Sequence, residues 1–128
     1  MRVNDERNQP TCMQVAGTNP AELVTLANAY PELTIIALSP YLGELLGFAK
    51  AGDNLMADLS YLDSMRVTER AKELFGISRL VFGSGAAWMV LRAAKLKLEY
   101  SLLSPREIGA IASVNLLNRT TNQILKHA

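Results

Sequence analysis

Apolar positions along the chain recur mostly at helical spacing, and they begin only after a polar start. Residues 1–18 show no such period and read as a mobile arm. Asn19-Pro20, with Glu22 three residues after the cap, opens a short helix whose Leu23, Leu26, Ala27 and Tyr30 share one face until Pro31 ends it. Leu33–Leu38 (LTIIAL) is ambiguous. Its β-branched residues favour a strand, but one lone strand has nothing to pair with, so a partner chain or a continuing helix would resolve it. Ser39-Pro40 repeats the cap-plus-proline signal, and a helix through Leu42, Leu45, Leu46 and Ala49 should end at Gly52.

Asp53 caps what reads as the longest helix, from Asn54 to Phe75. Leu55, Leu59, Leu62, Met65, Ala71 and Leu74 keep its period, while Asp58, Asp63, Glu69, Arg70 and Glu73 form a solvated face. Gly76 stops it. Residues 77–85 form a short apolar turn or helix closed by two glycines, and Ala86–Leu98 is helical through Trp88, Leu91, Lys95 and Leu98. Ser104-Pro105-Arg106-Glu107 is a capping box, followed by Ile108, Ile111, Ala112, Asn115 and Leu116 on one stripe. Asn118–Ala128 frays or adds a last helix. The pattern predicts an all-α fold: a 1–18 arm and a single compact multi-helix domain over 19–128, with room for one short N-terminal strand.

Composition narrows the function classes. The chain has 128 residues, 49% hydrophobic and 20% charged, which is more apolar surface than so short a chain needs to bury alone, so a homodimer is expected. Cys12 has no partner for an internal disulfide, and with His127 it cannot make a four-ligand zinc site. A reducing, cytoplasmic setting follows. No secretory signal precedes the domain, and the apolar stretch Leu33–Phe48 is too short and too broken to span a membrane. His127 lies at a fraying end, Cys12 in the arm, and Gly83-Ser84-Gly85 lacks a Walker lysine and reads as a hinge. No catalytic residue, metal or cofactor can be named, so a non-enzymatic role is expected.

Charge is distributed unevenly. Residues 1–65 carry three basic and eight acidic side chains, and residues 66–128 carry ten basic and four acidic ones. A basic half points to nucleic acid; it serves equally well to attract the acidic half within the fold or across a dimer. Arg70 to Arg79 has the small residue, apolar pair, glycine turn, serine cap and arginine of a helix-turn-helix centre. Gly83 and Gly85 would leave its second helix under two turns, so the string taken alone favours a structural turn. If the chain meets DNA, Arg70, Lys72 and Arg79 around this turn, with Arg92, Lys95 and Lys97 beyond it, are the expected phosphate contacts.

Two segments resemble the D subunit of the flagellar master transcriptional regulator and its relatives on mobile elements. One runs from Glu44-Leu45-Leu46 through Leu59-Ser60-Tyr61-Leu62 to Phe75-Gly76-Ile77-Ser78; the other is Ser104–Leu117, with Ile108, Ile111-Ala112, Asn115 and Leu116. They cover about half the chain, and the family's cysteine is replaced by Asn118-Arg119, so its interchain disulfide is not implied. The resemblance implies a dimeric helical activator subunit that binds promoter DNA with a zinc-containing C-type partner. The reading is therefore a DNA-associated transcriptional regulator subunit. The alternative is a helical protein-interaction module, such as a phage or plasmid adaptor or inhibitor, without DNA binding.

Overall fold

The runs Ile35–Leu38 (β2) and Leu55–Asp58 (β3) lie side by side as parallel strands, with Ile35 opposite Leu55 and Ala37 opposite Ala57. The structure is a computed structural model that describes residues 10–64, 66–86 and 89–126, with side-chain surroundings through residue 120. Thr11–Gln14 (β1) pairs parallel with β2 on one side, and Leu80–Val81 (β4) pairs parallel with β3 on the other. Helix α1 (Pro20–Ala29) connects β1 to β2, α2 (Leu42–Phe48) connects β2 to β3, and α3 (Val67–Phe75) leads to β4 through a 3₁₀ turn at Ile77–Arg79. After β4 come α4 (Leu91–Glu99) and a helical stretch in which α5 (Pro105–Gly109) passes through a π segment, Ala110–Val114, into α6 (Asn115–Lys126).

This is an α/β fold with a four-stranded parallel sheet, and it corrects the all-helical expectation. Strand order equals chain order, β1-β2-β3-β4. A sheet that grows in one direction without reversal has the connectivity of an arc of a (β/α) barrel rather than of a doubly wound sheet. The expected lone strand finds its partners in its own chain. One partner is the amino-terminal part of the expected 54–75 helix. The other lies inside the expected arm, whose residues 1–9 are outside the described residues, as are Met65 and Trp88.

Burial on both faces explains why the strands carry continuous apolar runs. Ile35, Ala37, Leu55, Ala57 and Leu80 face the helices and join Leu23, Ala27, Leu45, Phe48, Ala71, Phe75, Leu98 and Ile111 in the main core. The alternate residues, Ile36, Met56 and Val81, make a small second cluster on the opposite face with Leu38 against it. Asp58 is on that second face by strand alternation.

The caps at Asn19 and Ser104 act as read, whereas Ser39 caps no helix, Tyr41 being the N-cap of α2, and Asp53 leads into β3 rather than into a helix. Asn19 Oδ1 accepts from Ala21 N at 3.1 Å, and Ser104 Oγ accepts from Glu107 N at 3.1 Å while Glu107 Oε1 accepts from Ser104 N at 3.0 Å. The helix-turn-helix element does not form: Gly76 (φ 92°) turns α3 into a 3₁₀ turn and then a strand. Along the Ser104 stripe Ile111 is buried, but Ala112 and Leu116 are exposed.

Asn54 locks the amino end of β3. Its Nδ2 shares two protons among the carbonyls of Ala27 (2.9 Å), Tyr30 (3.2 Å) and Leu33 (3.0 Å), joining the end of α1 to the approach to β2. Asn54→Ala leaves those acceptors without this donor and should cost about 1–3 kcal/mol in urea denaturation. An unchanged midpoint would show that water replaces the amide.

Candidate functional site at the carboxyl end of the sheet

In parallel α/β folds the strand ends that point to the βα loops are where ligands sit, because the loops converge there and backbone donors are left unpaired. Here the converging residues are Ser39 after β2, Asp58 and Ser60 at the end of β3, and Gly83 after β4. The Asp58 carboxylate is buried. Its Oδ1 accepts from Ser39 N at 2.8 Å, Ser60 N at 3.3 Å and Ser60 Oγ at 3.0 Å, and its Oδ2 lies 3.1 Å from Ser60 Oγ. Ser39 Oγ and Ser60 Oγ are 3.1 Å apart. Since Ser60 commits its one hydroxyl proton to Asp58, Ser39 is the donor in that contact.

Two backbone features hold the cluster. Ser39 has φ 59°, a left-handed conformation that costs a serine about 1–2 kcal/mol and turns its N–H to the carboxylate. Gly83 passes so close that a Cβ there would sit 2.2 Å from Asp58 Oδ2. The aspartate expected on a solvated helix face is thus a buried tie between the ends of β2 and β3, with Gly83 after β4 packed against it. Its oxygens are engaged with the protein's own donors, which suits positioning better than acid-base chemistry.

Beside this tie opens a cleft. The loop after β3, the first turn of α3 and the last turn of α4 border a solvent-open cavity of about 170 Å³ whose lining includes Ser64, Arg66, Glu69, Lys97, Tyr100 and Ser101. Ser64, Arg66 and Glu69 also border a groove of about 510 Å³ that continues to Arg70 and Glu73. Glu69 is held by Leu102 N at Oε1 and by Thr68 Oγ1 at Oε2. Desolvation works to raise its pKa, but these hydrogen bonds, its own backbone N–H and Arg66 keep it below the ordinary carboxylate value. Lys97 is half-buried and donates from Nζ to Leu59 O at 2.9 Å. Burial pulls its pKa below the ordinary lysine value, opposed by Asp63 and then Asp58.

The six expected phosphate contacts do not form one set. Arg79 is buried: Nε donates to Leu55 O and Nη2 to Phe48 O, both at 3.1 Å, and the guanidinium carbon lies 3.9 Å from the Phe75 ring centroid. It ties the amino end of β3 to the end of α2. Lys72 pairs with Glu107 at 2.7 Å, and Lys95 with Glu99 at 3.7 Å. Arg70 and Arg92 are exposed, Arg70 bordering the groove. Lys97 belongs to the cavity. The sequence reading missed Ser39, Ser60 and Arg66 as site residues; their signal was position, each lying just beyond or on the loop after an apolar run. Among the described residues no group of three His, Cys, Asp or Glu is placed to hold a metal, and no helix is long and apolar enough to cross a membrane.

No protein-family profile matches the chain. No curated protein matches it significantly. Among solved structures, it is similar to the crystal structure of 2,6-dihydroxybenzoate decarboxylase complexed with 2,6-dihydroxybenzoate, with a TM-score of 0.71 at 12% identity over 92% of this chain. The chain spans about half of that enzyme, 52% of its length. The likeness establishes that this fold is one an enzyme uses.

Gly83→Ala should destabilise by about 1–3 kcal/mol, because the methyl must displace Asp58 or the loop. Gly43→Ala, where nothing lies within 4 Å, should be neutral or stabilising. Equal melting temperatures for the two variants would contradict the close approach. Arg79→Ala should cost on the order of 3 kcal/mol through the two charged hydrogen bonds it removes, measured by chemical denaturation.

Proposed function

We propose that the chain is a small-molecule-binding module on an enzyme-type α/β scaffold, taking a carboxylate-bearing ligand in the cleft beside the carboxyl end of the sheet. One observation carries this reading: Arg66 and Lys97 line a common cavity whose acid, Glu69, is already occupied by Leu102 N and Thr68 Oγ1. Glu69 spends its oxygens on those donors, which leaves the exposed Arg66 guanidinium to meet an incoming carboxylate. Arg66 offers a planar fork that suits a carboxylate, and Tyr100 and Ser64 border the same space. The decarboxylase of like fold is crystallised with an aromatic acid, a compound of this class. Asp58, Ser39 and Ser60 lie outside the cavity's lining and take no direct part.

The binding reading is tested by ¹⁵N chemical-shift titration of the full chain with benzoate and 2,6-dihydroxybenzoate, using benzamide as the neutral control. Shifts should concentrate in 59–70 and 97–102, and Arg66→Ala should weaken binding about tenfold, the loss of one charged hydrogen bond. Equal shifts with benzamide, or none at millimolar acid, would overturn it.

A second reading, a DNA-associated regulator subunit acting as a homodimer with a C-type partner, is supported by the exposure of Arg70, Arg92 and Lys95 in the basic half. Arg79, committed to the core, has no part in it. Anisotropy of a labelled duplex at low salt separates the two: this reading requires steeply salt-dependent binding that Arg70 and Arg92 control.

A further inference from the structure

We propose that Lys97 is the nucleophile of this cleft, condensing through its Nζ with the carbonyl group of an aldehyde or 2-oxo acid whose carboxylate Arg66 holds. The inference rests on the carboxylate-binding reading for its substrate class and on the lysine's own placement for its chemistry.

Lys97 differs in setting from the other lysines whose side chains are described. Lys50, Lys72 and Lys95 are exposed, the last two in ion pairs with Glu107 and Glu99. Lys97 alone among them is half-buried, and it lines a cavity. Its hydrogen-bond partner is a backbone carbonyl, Leu59 O at 2.9 Å. A neutral amine can keep one N–H on that carbonyl and still present its lone pair, so the bond that anchors the side chain does not block attack. The carbonyl belongs to the residue after Asp58, so the hydrogen-bonded tie that fixes the strand ends also fixes the anchor of the amine. Burial favours the neutral form, as it does in lysines that form Schiff bases. The charged groups around it are Asp63 and Asp58, which oppose that effect, and Arg66 and Glu69 across the cavity.

The step balances without a further reactant. The Nζ lone pair forms a bond to the carbonyl carbon, the carbonyl π electrons pass to oxygen, and a proton moves from nitrogen to oxygen to give a carbinolamine. Loss of that hydroxyl as water, with the remaining nitrogen proton, leaves the imine. One amine and one carbonyl compound give one imine and one water, with no change of oxidation state.

The test is reductive trapping on the full chain with 4-carboxybenzaldehyde and sodium cyanoborohydride, followed by peptide mass mapping; cyanoborohydride supplies the hydride that fixes the imine as a secondary amine. Label should reach Lys97 at least tenfold faster than Lys50 or Lys95, with its half-maximal rate at lower pH. Arg66→Ala should slow labelling of Lys97 by the acid at least fivefold more than labelling by benzaldehyde. Lys97→Arg, with circular dichroism to show that it folds, should lose the fast site. Uniform labelling of all lysines would overturn the proposal, and if benzoate still shifts the 59–70 amides the binding reading survives it. Fast labelling of Lys97 by both aldehydes alike, with no benzoate shifts, would support the nucleophile and remove the carboxylate.

Discussion

The Asp58 carboxylate is the constraint on which the functional end of this protein depends. A buried carboxylate has to recover what it loses in hydration, and here it does so from the backbone N–H groups of Ser39 and Ser60 and the Ser60 hydroxyl. The cost falls on the chain around it: a serine in left-handed conformation at 39 and a glycine held against the acid at 83. A parallel sheet has no hairpins to register its strands, so side chains that bridge consecutive loops do that work. Arg79 and Asn54 do the same at the other end, binding main-chain carbonyls of α2, β3 and the α1–β2 connection. Each end of the β2–β3 pair is therefore closed by polar side chains bonded to backbone.

How much of this was legible depended on the range of the signal. Helix caps are local, so Asn19-Pro20 and the Ser104–Glu107 box could be read from a few residues and took the expected form. Strands of four residues, or two in β4, offer too short a window for alternation to show. Burial on both faces removes the alternation altogether. Leu55, Leu59 and Leu62 fell at helical spacing by coincidence: the first is in a strand, and the other two are in the loop that follows it. Leu33–Leu38 stayed ambiguous between strand and helix because the partners of its strand, Ile35–Leu38, were hidden, one inside that false helix and the other in the arm. Once β3 was read as helix, Asp58 became a surface acid and the carboxyl end of the sheet could not be seen. Arg79 shows the converse limit, since a charged residue after a glycine turn gives no sign that three backbone and ring contacts await it inside.

The sequential strand order also gives spatial meaning to the charge asymmetry. Because β1 to β4 follow one another across the sheet, the acidic first half and basic second half of the chain are set out in the same direction as the strands. The second half begins at Arg66, the residue that precedes α3, and the cleft opens there. Its lining carries both signs, Glu69 and Glu73 beside Arg66 and Arg70, and Asp63 and Asp58 act on Lys97.

That placement bears on how a scaffold can change its chemistry. At the strand ends, where a parallel α/β enzyme usually holds its reacting groups, this chain has a carboxylate whose Oδ1 is held by two backbone N–H groups and the Ser60 hydroxyl, and a glycine where an added Cβ would clash with Asp58. Such a centre resists entry of a ligand, because each donor taken by the ligand would leave Asp58 a buried charge with one fewer partner. Groups carried by the surrounding helices and loops are under no such restriction. Arg66 precedes α3 and Lys97 comes from the last turn of α4, so both can bind or release a ligand without disturbing the strand register. The centre then serves as a mount: it holds the loop that carries Leu59 O, and Leu59 O orients Lys97.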